Sequence, residues 1–538
     1  MTATNSQTVG APPKSPKRRL GGAALVAIGI LASRIFGIVR EMLRGKYLGA
    51  TVSYVADAWV VAIRIPNMLQ NLLGEGVLSA SFIPVYTGLL AQKDEEDAGI
   101  VAGAVLATLS LAVAVIVAAG VIFAPWIVRV LATGLKGPAY ELAVQLTRIL
   151  FPGAALFVLA AWCIGILNSH HRFFLAYIAP VFWNLTMIAA FVWYGPRVNL
   201  PSLARAVAWA SVVGAGIQFL VQLPAVLRLV PKLKVRFSHR HQSVRTVLIN
   251  ILPVMMSRGV VQISASVDLW IAVFLPQGSA ALLATAQAVN MLPVSLFGMA
   301  VSAAELPAMS SITGTVEERA ALLRERLQKS LRQVTFLVIP SAVAFLLFGD
   351  VIIRVLYQRG RFTELDTLFA WGVLAGSAVG LLAGTLGRLY SAAYYSMKDT
   401  KQPLRYAIIR VALTMALGWI AAVPLPRYLG IDGHWGTAGL TLTAGIAGWV
   451  EFALLRRELQ KRIGPATVSR DLVIRLWGVA AVAGALGYGV QLLLGSARSI
   501  VVAIAVLGTY GMLYLVVTDL IGIPEARAFT RRLLRRRA

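Results

Sequence analysis

Long apolar blocks dominate this chain, and they do not alternate with polar residues. Residues 101–123 hold 23 positions without a charge, and 149–169, 173–196, 206–227 and 476–494 repeat the pattern. A helix needs roughly 20 residues to cross the hydrocarbon of a bilayer, so each block is long enough. The other spanning solution, a closed barrel, would show alternation over strands of about 10 residues, and these blocks show none. The pattern predicts helices over 21–43, 54–91 (broken), 99–131, 139–168, 173–195, 203–229, 244–275, 279–311, 320–349, 365–396, 403–424, 434–460, 470–494 and 497–521. The expected fold class is an all-α polytopic membrane protein of about fourteen transmembrane helices.

Part of the chain repeats. Asn67-Met68-Leu69 leads to Pro84, and Asn290-Met291-Leu292 leads to Pro307, with Ser79-Ala80 matching Ser302-Ala303 at the same offset of 223. A second match, Ile127–Leu131 against Ile352–Leu356, falls at an offset of 225. Two matches in order argue for duplication. Six helices separate the copies, so both halves enter from the same side, as in parallel transporter repeats. The expected division is a disordered arm (1–20), two six-helix lobes (21–230 and 231–462), helices thirteen and fourteen (463–522) and a basic tail (523–538).

Composition adds orientation. Hydrophobic residues make up 58% and charged residues 14% of the chain, against roughly 25% charged in soluble domains. The formal charge of +27 gathers in alternate connections: Lys14–Arg19, Arg228–Arg245, Arg319–Lys329, Lys398–Arg405, Arg456–Arg470 and Arg527–Arg537. The connections between them are poorer, with no cation over Pro276–Ser279. That asymmetry places both termini in the cytoplasm and accounts for the charge without nucleic acid. Cys163 is the one cysteine, which excludes an internal disulfide. No cleavable signal peptide is apparent, because the first apolar stretch runs into Arg34 and Arg40.

Charges within spans are costly and usually face a cavity. Helix one carries Arg34, Arg40 and Glu41; helix two carries Asp57, Arg64 and Glu75. At about 100° per residue, Asp57, Arg64, Asn71 and Glu75 fall within about 40° of one direction and form a polar stripe. Pro66 and the Gly74/Gly76 pair should bend that helix. Arg148, Arg258, Asp268, Glu305, Arg388, Arg410 and Glu451 are further candidates for burial, although Arg40, Arg148 and Arg410 could equally snorkel from helix ends. Arginine on a cavity wall suits an anion, since its fork holds phosphate oxygens bidentately. His170-His171 and His239/His241 lie in loops without metal-ligand neighbours. No nucleophile–base pair, phosphate-binding Gly loop or zinc spacing is present, so neither an enzyme nor a cofactor is expected.

At Ala32-Ser33-Arg34-Ile35-Phe36-Gly37-Ile38-Val39-Arg40-Glu41 the sequence resembles the lipid II flippases called MurJ or MviN. The likeness continues through Ala56-Asp57-Ala58, Arg64–Asn67 and Gly74–Pro84, then Gln262–Ser264 with Asp268, Leu275–Ser279, Leu296–Gly298, Arg388–Tyr390 and Lys398–Pro403. Those proteins belong to the multidrug, oligosaccharidyl-lipid and polysaccharide exporter superfamily. The resemblance implies two lobes around a cationic cavity, in a bacterial cytoplasmic membrane, moving undecaprenyl-diphosphate-linked peptidoglycan precursor outward. It implies that Arg34 and Arg40 bind diphosphate or sugar, with Asp57 the cavity carboxylate and Glu75 the helix-two acid. Gln70 stands where typical members have a further arginine, and Gln287-Ala288 where they have Asp-Arg; Arg64 and Arg258 are candidates to replace them. Asp268 matches an acid that helps hold sodium in some members, while Thr414 and Gly418 stand where supporting ligands would sit, so sodium or membrane-potential coupling is left open. An exporter of another polyprenyl-linked glycan, or a non-transporting scaffold on the same fold, is the alternative.

Overall fold

The computed structural model describes residues 20–238, 241–264, 266–494 and 497–528. Residues 1–19 of the expected arm (1–20) and the end of the basic tail lie outside them, as do the side chains of Glu75 and Arg258; Leu20 already belongs to the first helix. Regular structure among the described residues is helical throughout. The first half comprises α1 (Leu20–Leu48), α2 (Tyr54–Leu73), α3 (Glu75–Ser81), α4 (Ile83–Ala91), α5 (Glu95–Ile122), α6 (Ala124–Leu131), α7 (Gly137–Ser169), α8 (Phe173–Tyr194) and α9 (Leu200–Leu229). The second comprises α10 (Gln242–Ser264), α11 (Val267–Ala272), α12 (Ser279–Pro293), a π-helical segment (Val294–Met299), α13 (Ala300–Ser310), α14 (Val316–Tyr357), α15 (Glu364–Ser396), α16 (Lys401–Ala422), α17 (Pro424–Leu429) and α18 (Trp435–Ile463). The last two are α19 (Arg470–Leu493) and α20 (Ser499–Leu520).

Twelve of these helices or helix runs are long and apolar enough to cross a membrane among the described residues. Helices α1 and α10 stand first and seventh in the expected order of spans. Large apolar side chains face outward along the bundle, among them Val115, Ile122, Leu220, Leu486 and Ile504. A bundle apolar on its outside as well as within suits a hydrocarbon solvent. The chain is a multi-pass membrane protein.

The helix breaks have local causes. Helix two breaks at Gly74, whose amide donates to the Gln70 carbonyl at 2.7 Å; a Cβ there would stand 2.2 Å from the same oxygen. Its counterpart run, Ser279–Ser310, is interrupted by the π-helical segment. Adding the offset of 223 to Gly74 gives Phe297, inside that segment. Both copies therefore break at the equivalent turn, and π-helical turns favour functional sites. The third expected helix is two, because Pro125 starts α6 afresh after Phe123.

Packing follows small residues and freed carbonyls. Helix α15 presents Gly372, Gly376, Gly380 and Gly384 at four-residue spacing, and α18 packs directly on it. A Cβ on Gly380 would lie 2.5 Å from the Gly445 Cα, the small-residue approach that associates helices in lipid. In α14, Pro340 cannot donate to the Phe336 carbonyl one turn back. The Tyr514 hydroxyl of α20 donates to that carbonyl at 2.8 Å, and Tyr510 donates to the Pro340 carbonyl at 2.8 Å. Arg332 and Glu525 add a two-pronged ion pair near the end of the chain. These hooks fasten α19 and α20 to α14.

Within the first half, α1 packs on α8, α2 on α7, and α9 on both α7 and α8. Within the second, α15 packs on α12, α14 and α18, and α16 on α11 and α18. Helices α2 and α12 meet where the halves touch, as do α3 and α10.

Candidate functional site

The polar stripe of helix two lies along the junction of the two halves. Asp57, 6% exposed, accepts from the amides of Gly278 at 2.6 Å and Ala281 at 2.9 Å. Those are N-terminal donors of α12, so a carboxylate of the first half caps a helix of the second. Two turns along, Arg64 is an electrostatic neighbour of Asp268 on α11. Further along, the Asn71 amide donates to Gln262 of α10 at 3.2 Å. Of the expected stripe, Glu75 follows the break at Gly74 and its side chain lies outside the described residues, while Asp57, Arg64 and Asn71 meet side chains and amides of the other half. Asp57 spends both oxygens there rather than in an open cavity.

The end of the bundle reached by the last turn of α1 is closed by the same kind of contact. Thr51 donates its amide and hydroxyl to Asp366, at 3.1 and 2.5 Å. Gln277 donates to the Thr51 carbonyl at 3.1 Å, and the His434 ring lies 3.0 Å from the Gln277 carbonyl. Gly278 has φ +97°, and a Cβ on it would stand 2.6 Å from the Thr51 Cα. Only glycine combines that backbone with that approach.

Helix α1 carries the cations. Arg34 is exposed and donates to Ser295 of the π-helical segment at 3.1 Å. Arg40 lies over the Trp183 ring, 4.5 Å from its centroid, and pairs with Glu41 at 2.8 Å. Arg44 binds the other Glu41 oxygen at 2.7 Å and reaches across to the Thr285 hydroxyl of α12 at 2.8 Å. Arg44 is 3% exposed and is not among the residues expected from sequence. Its signal was its spacing, three residues after Glu41 and four after Arg40 on one helix.

Two cavities flank the seam. One of about 430 Å³ in the first half is lined by Gln70, Asn71, Phe157, Trp183 and Gln218. Another of about 340 Å³ in the second half is lined by Asp268, Gln287, Asn290, Arg388, Arg410 and Thr414. Arg410 pairs with Glu451 at 3.2 Å, and both Arg410 and Arg64 are electrostatic neighbours of Asp268. Among the described residues that line this cavity Asp268 is the one carboxylate, and guanidinium neighbours on two sides disfavour a cation beside it. For Arg258 and Glu75 the structure places the backbone alone, in α10 and α3.

Paired bundles meeting at a polar seam, with cavities on either side, define a helical transporter fold. The chain is similar to a structure described as lipid II flippase MurJ in an inward closed conformation, with a TM-score of 0.74 and 24% identity, covering 93% of this chain and 100% of that one. It is also similar to an inward-facing multidrug resistance MATE family transporter of the MOP superfamily, with a TM-score of 0.63, 18% identity and coverage of 82% and 98%. Among curated relatives, a lipid II flippase MurJ of Burkholderia cenocepacia is 32% identical over 440 residues, 80% of this chain and 82% of the relative. A probable lipid II flippase MurJ of Rhizobium tropici is 30% identical over 535 residues, 96% of each chain. The family model described as lipid II flippase MurJ matches residues 45–525. The chain belongs to the lipid II flippase MurJ family.

Proposed function

We propose that this protein moves lipid II, the undecaprenyl-diphosphate-linked peptidoglycan precursor, across the bacterial cytoplasmic membrane. The observation that carries the reading is the family match along nearly the whole chain, residues 45–525. The mechanism is alternating access between two six-helix lobes (21–230 and 231–462), with α1 and α10 completing fourteen spans and both termini cytoplasmic. In that orientation the Thr51, Gly278, Asp366 and His434 contacts form an external seal, and Asp57 is its latch on α12. Arg34 and Arg40 receive the diphosphate, since guanidinium forks match phosphate oxygens and hold them strongly in a partly dry site. The protein makes and breaks no covalent bond in this cycle.

A second reading has one observation in its favour. The first-half cavity is lined by uncharged Gln70, Asn71 and Gln218 where typical members add a cation, which suits a related polyprenyl-diphosphate glycan as cargo. One experiment separates the readings. Cells depleted of their own MurJ-type flippase should grow when supplied with this chain if lipid II is the cargo. Absence of rescue at normal membrane abundance would favour the other glycan.

A further inference from the structure

Glu41 and Arg44, to which the proposed cycle gives no role, form a cluster with Arg40. The carboxylate takes one hydrogen bond from Arg40 Nη2 at 2.8 Å and one from Arg44 Nε at 2.7 Å. Each guanidinium nevertheless keeps a buried Nη1 without a hydrogen-bond partner. A buried, unsatisfied N–H on a cation is costly, and native structures rarely keep two side by side without use. Arg44 is tied on its other side to Thr285, whose hydroxyl in turn donates to the Ala281 carbonyl at 2.8 Å. The Ala281 amide is one of the two that Asp57 caps. The grip on Arg44 and the latch at Asp57 therefore hold the same turns of α12, and withdrawal of α12 releases both.

We propose that Glu41 is a resident stand-in for the phosphate oxygens of the ligand, and that Arg44 is a further ligand-binding arginine exposed when α12 withdraws. This rests on the reading of the cargo as a diphosphate lipid. In the sealed, empty state Glu41 supplies the counter-charge without which two guanidiniums would lie buried and uncompensated. An arriving diphosphate takes Arg40 first, because Arg40 borders the Trp183 wall of the first-half cavity. As the seal opens, Thr285 leaves Arg44, which then has Nη1 and Nη2 free for a second phosphate oxygen. Arg44 lies one turn from Ala288 on the facing helix, so it brings a guanidinium from α1 to the neighbourhood where typical members carry one on helix eight. A diphosphate brings more terminal oxygens, more charge and a longer reach than a monophosphate, so it engages both arginines more fully and the pair favours it.

The test is equilibrium binding of undecaprenyl diphosphate and undecaprenyl monophosphate to the purified full chain in lipid nanodiscs. Glu41→Gln removes the competing carboxylate and should tighten diphosphate binding about tenfold, the worth of one charged hydrogen bond, with a smaller gain for the monophosphate. Arg44→Gln should weaken diphosphate binding, and the double variant should lose the gain seen with Glu41→Gln. Thr285→Val removes no charge and frees one Arg44 donor; it should tighten diphosphate binding about threefold, which covers the case in which Glu41→Gln fails to fold. Unchanged or weaker binding by a well-folded Glu41→Gln protein, or a gain that survives Arg44→Gln, overturns the inference. Failure of the unsubstituted chain to bind undecaprenyl diphosphate at all would overturn the cargo assignment instead.

Discussion

The latch at Asp57 can be tested by removing it. Asp57→Ala leaves the Gly278 and Ala281 amides, now bonded at 2.6 and 2.9 Å, without acceptors at the start of α12. Leaving buried donors unsatisfied costs about 1–3 kcal/mol each, and loss of a helix N-cap about 0.5–2 kcal/mol. These figures describe the same bonds, so about 2 kcal/mol is a fair single value. The bonds exist only while α2 and α12 are together; once the seal parts, water satisfies both partners. The cost therefore falls on the sealed state, and about 2 kcal/mol raises the open-to-sealed ratio roughly 30-fold. Asp57→Asn keeps one acceptor oxygen, which should limit the shift to about fivefold. Ser279, next to the capped amide and 0% exposed, offers a reporter. Ser279→Cys should react slowly with an impermeant maleimide added outside cells, and about 30-fold faster when Asp57→Ala is added. The native Cys163 is buried and contributes little background. An unchanged labelling rate at normal membrane abundance would refute the latch.

Gly380→Val should lower the melting temperature of purified protein by several degrees, because its Cβ would meet the Gly445 Cα at 2.5 Å; Gly384→Ala, with nothing within 4 Å of its Cβ, should leave it unchanged. Tyr514→Phe strands the carbonyl freed by Pro340 and should cost about 1–2 kcal/mol, read as a lower melting temperature; an unaltered value would show that the carbonyl is satisfied otherwise. On orientation, reporter fusions at Arg236 and Arg457 should read cytoplasmic and a fusion at Gly278 external, and an external signal at Arg236 would reverse the topology.

Spans, the break in helix two and most of its polar stripe were legible in the sequence because each depends on residues near one another in the chain, whereas the restart at Ala124 and the π-helical segment were not. The Gly74/Gly76 pair marked the break in helix two, and the 100° periodicity placed Asp57, Arg64 and Asn71 on one face; the equivalent interruption around Phe297 emerged only with the fold. What faces that stripe was not legible, since α10, α11 and α12 meet it from about 200 residues away. A buried charge in a span reads as a ligand group until a helix N-terminus is found against it, as at Asp57. Arg44 was passed over because it sits near the end of its helix, where snorkelling is the ordinary reading; only the fold brings Thr285 beside it. The tyrosine hooks of α20 were hidden for a related reason, as their acceptors are backbone carbonyls of a distant helix.

The central claim is that this chain carries lipid II outward and grips it through the arginines of α1. The direct measurement is the externally accessible fraction of labelled lipid II in cells whose only flippase is this protein. An impermeant enzyme that cleaves the headgroup from outside gives the readout. The unsubstituted chain should make most of the newly made lipid II cleavable, and Arg34→Ala at equal abundance should leave it protected. Protection in both cases would contradict the assignment of lipid II as cargo. Equal cleavage in both would contradict the role given to Arg34.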